Sequence, residues 1–407
     1  MKYLILIGDG MGDYPCPELN GLTPLEAAQT PVMDHIASCG ELGLAQTIPE
    51  GMPPGSDVAN LNILGYDPRV YHTGRAPLEA ASLGLQLKPG QIAFRLNLVT
   101  LATDDQGRTI MGDYSAGHIT TPESGLIIDQ LKTDLAGPGL SFHTGVSYRH
   151  LLIIDGGDAQ ADTIPPHDIP GQQIAPYLDR LGPEALIVKL MNRAQEILPR
   201  YDVNKARIAA GKKPANGIWL WGQGPAPAMP TIKEKYGLDG AIISAVDLLK
   251  GIGRLAGLKV IDVPGATGYL DTNYQGKADA ALESLREGDF VFVHVEAPDE
   301  AGHTGLLHDK LKAIEDFDAK IVSPILEGLR TAGHDFRLLI MCDHLTPLQV
   351  RTHTREPVPF ALMSSSEDTR QAAGTRPFTE KAAQAAGLLV PHGRQLINRL
   401  VNAERAK

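Results

Sequence analysis

Three apolar runs lying far apart in the chain each end on an acid or an acid–histidine pair, and few folds put such a coincidence to use. Residues 3–7 (YLILI) lead into Gly8-Asp9-Gly10; residues 290–295 (FVFVHV) lead into Pro298-Asp299-Glu300-Ala301-Gly302-His303; residues 336–341 (FRLLIM) lead into Asp343-His344. Short aliphatic runs bounded by Gly and Pro read as buried parallel strands. In an open α/β sheet ligands sit beyond the carboxyl ends of the strands, so these ends are expected to converge on one site. Asp and His without Cys suit hard or borderline divalent metals.

A chain of 407 residues is long enough for two or three domains with a full core. Cys16, Cys39 and Cys342 are odd in number and form no CxxC pair, which argues against a disulfide framework and a thiolate zinc site. A reducing cytoplasm is the expected location. The short apolar run after Met1-Lys2 is too brief for a signal peptide, and no run approaches a membrane span, so no membrane partner is expected. A net charge of −11 disfavours nucleic acid as the main partner. A small anionic substrate stays open, because bound cations and a few arginines can invert the local field. The phosphate-cradling GxxxxGK[ST] loop is absent.

Along the chain, Thr23-Pro24 and Thr30-Pro31 each place a capping residue before a proline suited to the first helical position. Residues 49–55 (PEGMPPG) cannot form helix or inner strand, and they deliver Ser56-Asp57 to an apolar segment over 58–64. Ser56 is therefore expected at a helix N-terminus. From about residue 71 to 238 the texture turns to Gly, Pro and short β-like runs at 94–99, 151–154 and 218–221, which reads as a second α/β domain inserted into the first. Strand-like and helical segments then alternate through 259–263 and the two later acid-ending runs. A last strand at 358–363 and a C-terminal helix near 392–406 complete the pattern. The expected fold is α/β, a mostly parallel sheet flanked by helices, built from residues 1–70 and 238–407 and interrupted by 71–237.

Asp299 and His303 are four apart, which puts both side chains on one face of a helical turn. With His353, in the loop before the last strand, they could hold one metal; Asp9, Asp343 and His344 could hold a second. Two metals a few ångströms apart clamp the attacking and leaving oxygens of a phosphoryl transfer. Ser56 fits the nucleophile, because metal coordination lowers a hydroxyl pKa and a helix N-terminus supports anionic charge. A serine before a helix is more often a plain N-cap, and an acid after a strand is more often a turn residue. Asp57 is open between capping and another hydrogen-bonding role. Asp155-Gly156-Gly157-Asp158 also follows a strand, and spacing alone does not exclude it.

The same residues lie in stretches that resemble the phosphoglycerate mutases needing no 2,3-bisphosphoglycerate, in their shorter archaeal-type branch within the alkaline phosphatase superfamily. The stretches are GDGMGD at 8–13, TPLEAA at 23–28, PPGSDVANLNILGYDP at 53–68, TGRAPLEA at 73–80, HVEAPDEAGH at 294–303, CDHLTP at 342–347 and RTHTREPVPF at 351–360. The resemblance implies an alkaline-phosphatase-like metal-binding domain and an inserted phosphotransferase domain whose closure excludes water. It implies a transiently phosphorylated Ser56, with Asp9, Asp343 and His344 as its companions on one metal and Asp299, His303 and His353 on the other. Mn²⁺ is the expected ion, with Zn²⁺, Co²⁺ or Mg²⁺ as alternatives. His118 corresponds to a phosphate-contacting histidine, while Arg75, Arg95 and Arg149 are the candidate arginines for a phosphorylated anionic substrate. The longer mutases' arginine-rich segment has no clear counterpart near residues 219–224.

The implied activity is interconversion of 2- and 3-phosphoglycerate, a step of glycolysis and gluconeogenesis. Homoserine-kinase-like phosphotransfer and metal-dependent phosphatase or phosphodiesterase activity are the rival enzymatic readings. A non-enzymatic scaffold on the same fold would bind less than about one divalent ion per chain.

Overall fold

The structure, a computed structural model, describes residues 1–369 and 376–402. The chain divides into two compact units, Met1–His72 with Ala228–Lys407, and Thr73–Pro227. The chain returns to the first unit at 228, ahead of the expected 238, because residues 228–237 pack onto it. The Tyr66 hydroxyl donates to the Pro230 carbonyl at 2.8 Å, and Ile232 N–H donates to the Ala256 carbonyl at 2.8 Å.

The first unit is built on an eight-stranded sheet. Its centre is Lys2–Gly8, flanked in parallel by Phe290–Val295 and Phe336–Met341, so that Ile7 lies opposite His294 on one side and Met341 on the other. All six residues of Phe290–Val295 are buried, as expected of a strand covered by helices on both faces. Gly240–Ile243 and Lys259–Ile261 continue the parallel pairing outward. On the other side the order is Val358–Ser364, Glu41–Ala45 and Leu389–Val390, and Val358–Ser364 runs antiparallel to both its neighbours. The sheet is thus mostly parallel.

The two helix starts marked by Thr23-Pro24 and Thr30-Pro31 are capped differently. Thr23 forms a capping box with Glu26 ahead of Pro24–Ala27. Helix Pro31–Cys39 begins where Thr30-Pro31 predicts, but the Thr30 hydroxyl caps nothing. The Asp318 carboxylate takes that role, accepting from Val32 N at 3.3 Å and Met33 N at 2.7 Å. Asp318 opens a π-helical turn, Asp318–Val322, between helices Leu307–Phe317 and Ser323–Ala332. The C-terminal helix is Arg394–Asn402, and the rest of the expected segment, 403–406, lies outside the described residues.

The second unit carries a five-stranded antiparallel sheet around Gln91–Thr103, which pairs with Thr109–Asp113, Arg149–Asp155 and Gly217–Gly224. The period of two sorts its faces. Phe94, Leu96 and Leu98 pack with Ile127 and Leu131 of helix Thr121–Asp134 and Met191 of helix Leu186–Ile197. Ala93 packs with Ala76 and Ala80 of helix Arg75–Ser82 on the opposite face. Among the described residues no helix is long and apolar enough to cross a membrane.

Candidate active site

The carboxyl ends of the three central strands place Asp9, Asp343 and His344 side by side, all buried. Gly10 makes the turn after Asp9 in the left-handed region at φ 59°, where its N–H donates to Asp343 Oδ1 at 3.1 Å. A Cβ there would stand 2.5 Å from Thr346 Oγ1 and 2.8 Å from Asp299 Oδ1, so only glycine fits. Ser56 is the first residue of helix Ser56–Ile63, with Gly55 at the N-cap. Its Oγ lies 3.1 Å from His344 Nε2 and 3.5 Å from Asp9 Oδ2. One turn on, Asn60 donates from Nδ2 to the Ser56 carbonyl and to Asp343 Oδ2, both at 2.8 Å, which ties the serine's helix to the neighbouring strand end. Asp57 pairs with His72 Nε2 at 2.9 Å.

Asp299 and His303 lie on helix Ala297–Thr304, their Oδ2 and Nε2 atoms 3.2 Å apart. His353 Nε2 stands 3.3 Å from Asp299 Oδ1 and 3.0 Å from His303 Nε2, completing a triangle of three donors. Thr346 holds the Asp299 carboxylate, donating to Oδ1 at 2.5 Å. The rings of His344 and His353 are 4.1 Å apart, so the two donor groups adjoin. All seven residues expected from the sequence therefore meet in the first unit.

The electrostatics fit a cation. Donors about 2.0–2.2 Å from one ion stand roughly 3–3.5 Å from each other, and the separations above fall close to that range. Burial and the adjacent Asp343 carboxylate push the Asp9 carboxyl well above its ordinary range. Asp343 goes the other way: burial opposes its charge, but the His344 and His294 imidazoles hold its carboxyl below the usual range. His303 is raised to about 9, chiefly by its contact with Asp299. Asp9 Oδ1 and both ring nitrogens of His294 are buried without a hydrogen-bond partner. Buried polar atoms left so are costly, and a divalent ion would satisfy Asp9 Oδ1 and the His294 nitrogen that faces Asp9.

Three residues of this neighbourhood carry no local signal that sequence reasoning used. Asn60 follows Ser56 at helical spacing and reads as part of an apolar segment. Lys310, which donates to the Thr346 carbonyl at 2.6 Å, lies in the amphipathic helix Leu307–Phe317. His294 sits inside an apolar run, where its being the only polar residue among FVFVHV was the available clue.

The other four expected residues, Arg75, Arg95, His118 and Arg149, lie in the second unit, and an arc of aromatic rings joins the last three. The Arg95 guanidinium is buried, pairs with Glu79 at 2.8 Å and lies 4.3 Å over the Trp221 ring. Trp221 touches His167 at a centroid distance of 5.3 Å, His167 touches Tyr114 at 6.1 Å, and Tyr114 touches Tyr148 at 5.9 Å. Tyr148 meets both the His118 ring and the Arg149 guanidinium. Arg75 and Arg95 flank the backbone of Gly222. Asp155 and Asp158 belong to neither group and line a separate cavity of about 490 Å³ with Asp162 and Arg180.

A serine among acids and imidazoles at the carboxyl ends of a mostly parallel α/β sheet marks the class of enzymes that act on phosphate esters. A profile of the family described as 2,3-bisphosphoglycerate-independent phosphoglycerate mutase matches residues 37–204. The chain is 51% identical over 402 residues to a probable enzyme of that name from Geobacter sulfurreducens, covering 99% of this chain and all of that one. It is 52% identical over 405 residues to the Methanosarcina barkeri enzyme, again covering 99% and 100%. Among solved structures it resembles a Pyrococcus horikoshii protein with a TM-score of 0.80 at 32% identity, over 100% of this chain and 98% of that one. It also resembles a cofactor-independent phosphoglycerate mutase from Thermoplasma acidophilum, with a TM-score of 0.64 at 29% identity over the full length of both. The chain belongs to the 2,3-bisphosphoglycerate-independent phosphoglycerate mutase family.

Proposed function

We propose that the chain interconverts 2- and 3-phosphoglycerate through a phosphoserine at Ser56. The observation that carries this reading is the Ser56 hydroxyl at a helix start, within 3.5 Å of both Asp9 and His344. Asp9, Ser56, Asp343 and His344 would hold one divalent cation and Asp299, His303 and His353 a second. Such ions supply Lewis acidity that lowers a hydroxyl pKa and offsets charge on phosphoryl oxygens. Oxygen and imidazole donors without thiolate favour Mn²⁺, with Zn²⁺, Co²⁺ and Mg²⁺ as the alternatives.

Within that frame the chain's own groups orient and neutralise. The N-terminal turn of Ser56–Ile63 presents backbone N–H groups and the positive end of the helix dipole to the incoming phosphate. Asn60 fixes the serine's helix against Asp343, so the nucleophile keeps its position while charge moves. Ser56 Oγ gives up its proton and bonds to phosphorus as the ester bond to one glycerate oxygen breaks, and that oxygen takes up a proton. Glycerate turns, and its other hydroxyl loses its proton and takes the phosphoryl group back as the Ser56 Oγ–phosphorus bond breaks and Oγ is reprotonated. Arg75, Arg95, His118 and Arg149 offer guanidinium and imidazole donors suited to a substrate's phosphate and carboxylate. The cytoplasm is the proposed location, where such phosphoesters are handled.

The test is conversion of 3-phosphoglycerate to 2-phosphoglycerate by purified protein with Mn²⁺, without ATP or 2,3-bisphosphoglycerate, followed by ³¹P NMR. Homoserine-dependent ATP consumption with no mutase turnover, or release of inorganic phosphate alone, would overturn the reading.

A further inference from the structure

His294 lies at the end of the central strand Phe290–Val295, fully buried, and its Nε2 is aimed at the acids. That nitrogen is 3.3 Å from Asp9 Oδ2 and 3.8 Å from Asp343 Oδ2. The first contact is out of line for a hydrogen bond, the second is too long for one, and the nitrogen has no other partner. A hydrogen bond needs its acceptor nearly in line with the N–H. Two donors that share one cation instead point at a common centre and stand side by side, as this nitrogen and the two carboxylate oxygens do. Asp9, His294 and Asp343 each offer an atom within 4.8 Å of the other two.

Behind the ring stands a second buried layer. Glu296 Oε1 is 3.3 Å from His294 Nδ1. The same oxygen accepts from Ser244 Oγ at 2.8 Å and Ala245 N at 2.7 Å, so the carboxylate is fixed. Lys277, with no solvent exposure, donates to Glu296 Oε2 at 2.6 Å and to the His294 carbonyl at 3.0 Å. A buried lysine is costly unless paired, and this one is spent on the residue behind the imidazole. Metal-binding histidines are oriented by a carboxylate at the far ring nitrogen, the side on which Glu296 stands at 3.3 Å but out of line for a hydrogen bond, and loss of such a partner weakens metal affinity about 10–100-fold.

We propose that His294 is a fifth protein ligand, through Nε2, of the cation held by Asp9, Ser56, Asp343 and His344, with Glu296 and Lys277 as its positioning residues. The inference rests on the two-cation reading of the site. It assigns this centre two imidazoles rather than one, which makes it softer and tighter for borderline ions than an oxygen-rich centre.

The experiment uses the full chain, labelled with [¹⁵N]histidine and loaded with ¹¹³Cd²⁺, and reads one-bond ¹¹³Cd–¹⁵N splitting. Four Nε2 resonances should be split, those of His294, His303, His344 and His353, and His294→Asn should remove one of them. Metal titrations of His294→Asn and Glu296→Gln, each confirmed folded by circular dichroism, should show one site weakened at least about tenfold and the other unchanged. The count in the wild-type spectrum stands even if His294→Asn does not fold. Only three split resonances in a wild-type chain carrying two ions would overturn the role of His294 and leave the two-cation reading intact. A wild-type chain that binds no divalent ion would overturn both.

Discussion

Lys310 and Asp13 are both sealed from solvent, with Nζ and Oδ2 3.0 Å apart, and this pair fixes the two loops that carry the site's acids. Lys310 also donates to the Thr346 carbonyl at 2.6 Å, and Thr346 in turn holds Asp299. Asp13 accepts from Leu348 N at 3.2 Å. The loop after the first strand is thereby tied to the loop after Phe336–Met341.

Removing one partner leaves a buried charge uncompensated, so Lys310→Met should lower stability by about 3–5 kcal/mol. Asp13→Asn combined with Lys310→Met should recover part of that loss, because no lone charge remains. Denaturant unfolding of the single and double variants checks this. Equal stability of wild type and Lys310→Met would show that the pair is dispensable.

Ser56→Ala should reduce turnover by at least about a thousandfold while leaving the unfolding midpoint nearly unchanged, since the change removes a nucleophile and little packing. Intact-mass measurement after brief mixing with 3-phosphoglycerate should find one added phosphate on wild type and none on the variant. Turnover by Ser56→Ala within tenfold of wild type would remove the phosphoserine from the mechanism.

How much of this was legible beforehand depends on whether each residue advertises its role locally. The strand ends at Asp9, Asp299 and Asp343 were readable because a buried run that stops on an acid is unusual, and Ser56 because PEGMPPG forces a helix to begin after it. The direction of Val358–Ser364 was not readable, since an apolar strand carries no mark of which way its neighbour runs. His294 was hidden inside a run that otherwise reads as core. The aromatic arc of Tyr114, Tyr148, His167 and Trp221 depends on contacts between residues distant in sequence, which no periodicity encodes. The cap on Pro31–Cys39 was misplaced for the same reason: Asp318 supplies from afar what Thr30 was positioned to supply nearby.

Metal removal should act on stability as well as activity. With Asp9 and Asp343 crowded and buried, a chelated chain keeps their repulsion and loses the ion that offsets it. Excess Mn²⁺ at about a hundred times its Kd should raise stability by about 2.7 kcal/mol per site relative to the chelated form. Asp299→Ala should lower bound metal from about two ions per chain to about one, because that centre loses its only carboxylate. Elemental analysis and thermal melts with and without EDTA are the measurements. A melting temperature indifferent to EDTA and Mn²⁺ would count against bound cations in the folded chain.

Burial lowers the pKa of His143, His150 and His167 in the second unit, and His150, shifted furthest, should dominate its pH dependence. Its ring is 1% exposed in strand Arg149–Asp155, and its Nδ1 accepts from Gly145 N–H at 3.0 Å, so the buried ring is neutral with the proton on Nε2. Burial lowers its pKa to about 4. An unfolded histidine titrates near pH 6.5, so between those values the unfolded chain binds the additional proton. The stabilising contribution of the neutral ring is complete above about pH 6.5 and falls away as the pH drops toward 4, a loss of up to ~3 kcal/mol. Both tryptophans, Trp219 and Trp221, lie on strand Gly217–Gly224 of the same unit, so their fluorescence follows its unfolding. Guanidinium midpoints taken from pH 7.5 to pH 4.5 should fall more steeply for wild type than for His150→Gln, which has no titrating ring at that position. Parallel pH profiles for the two proteins would mean that His150 is not the group that titrates.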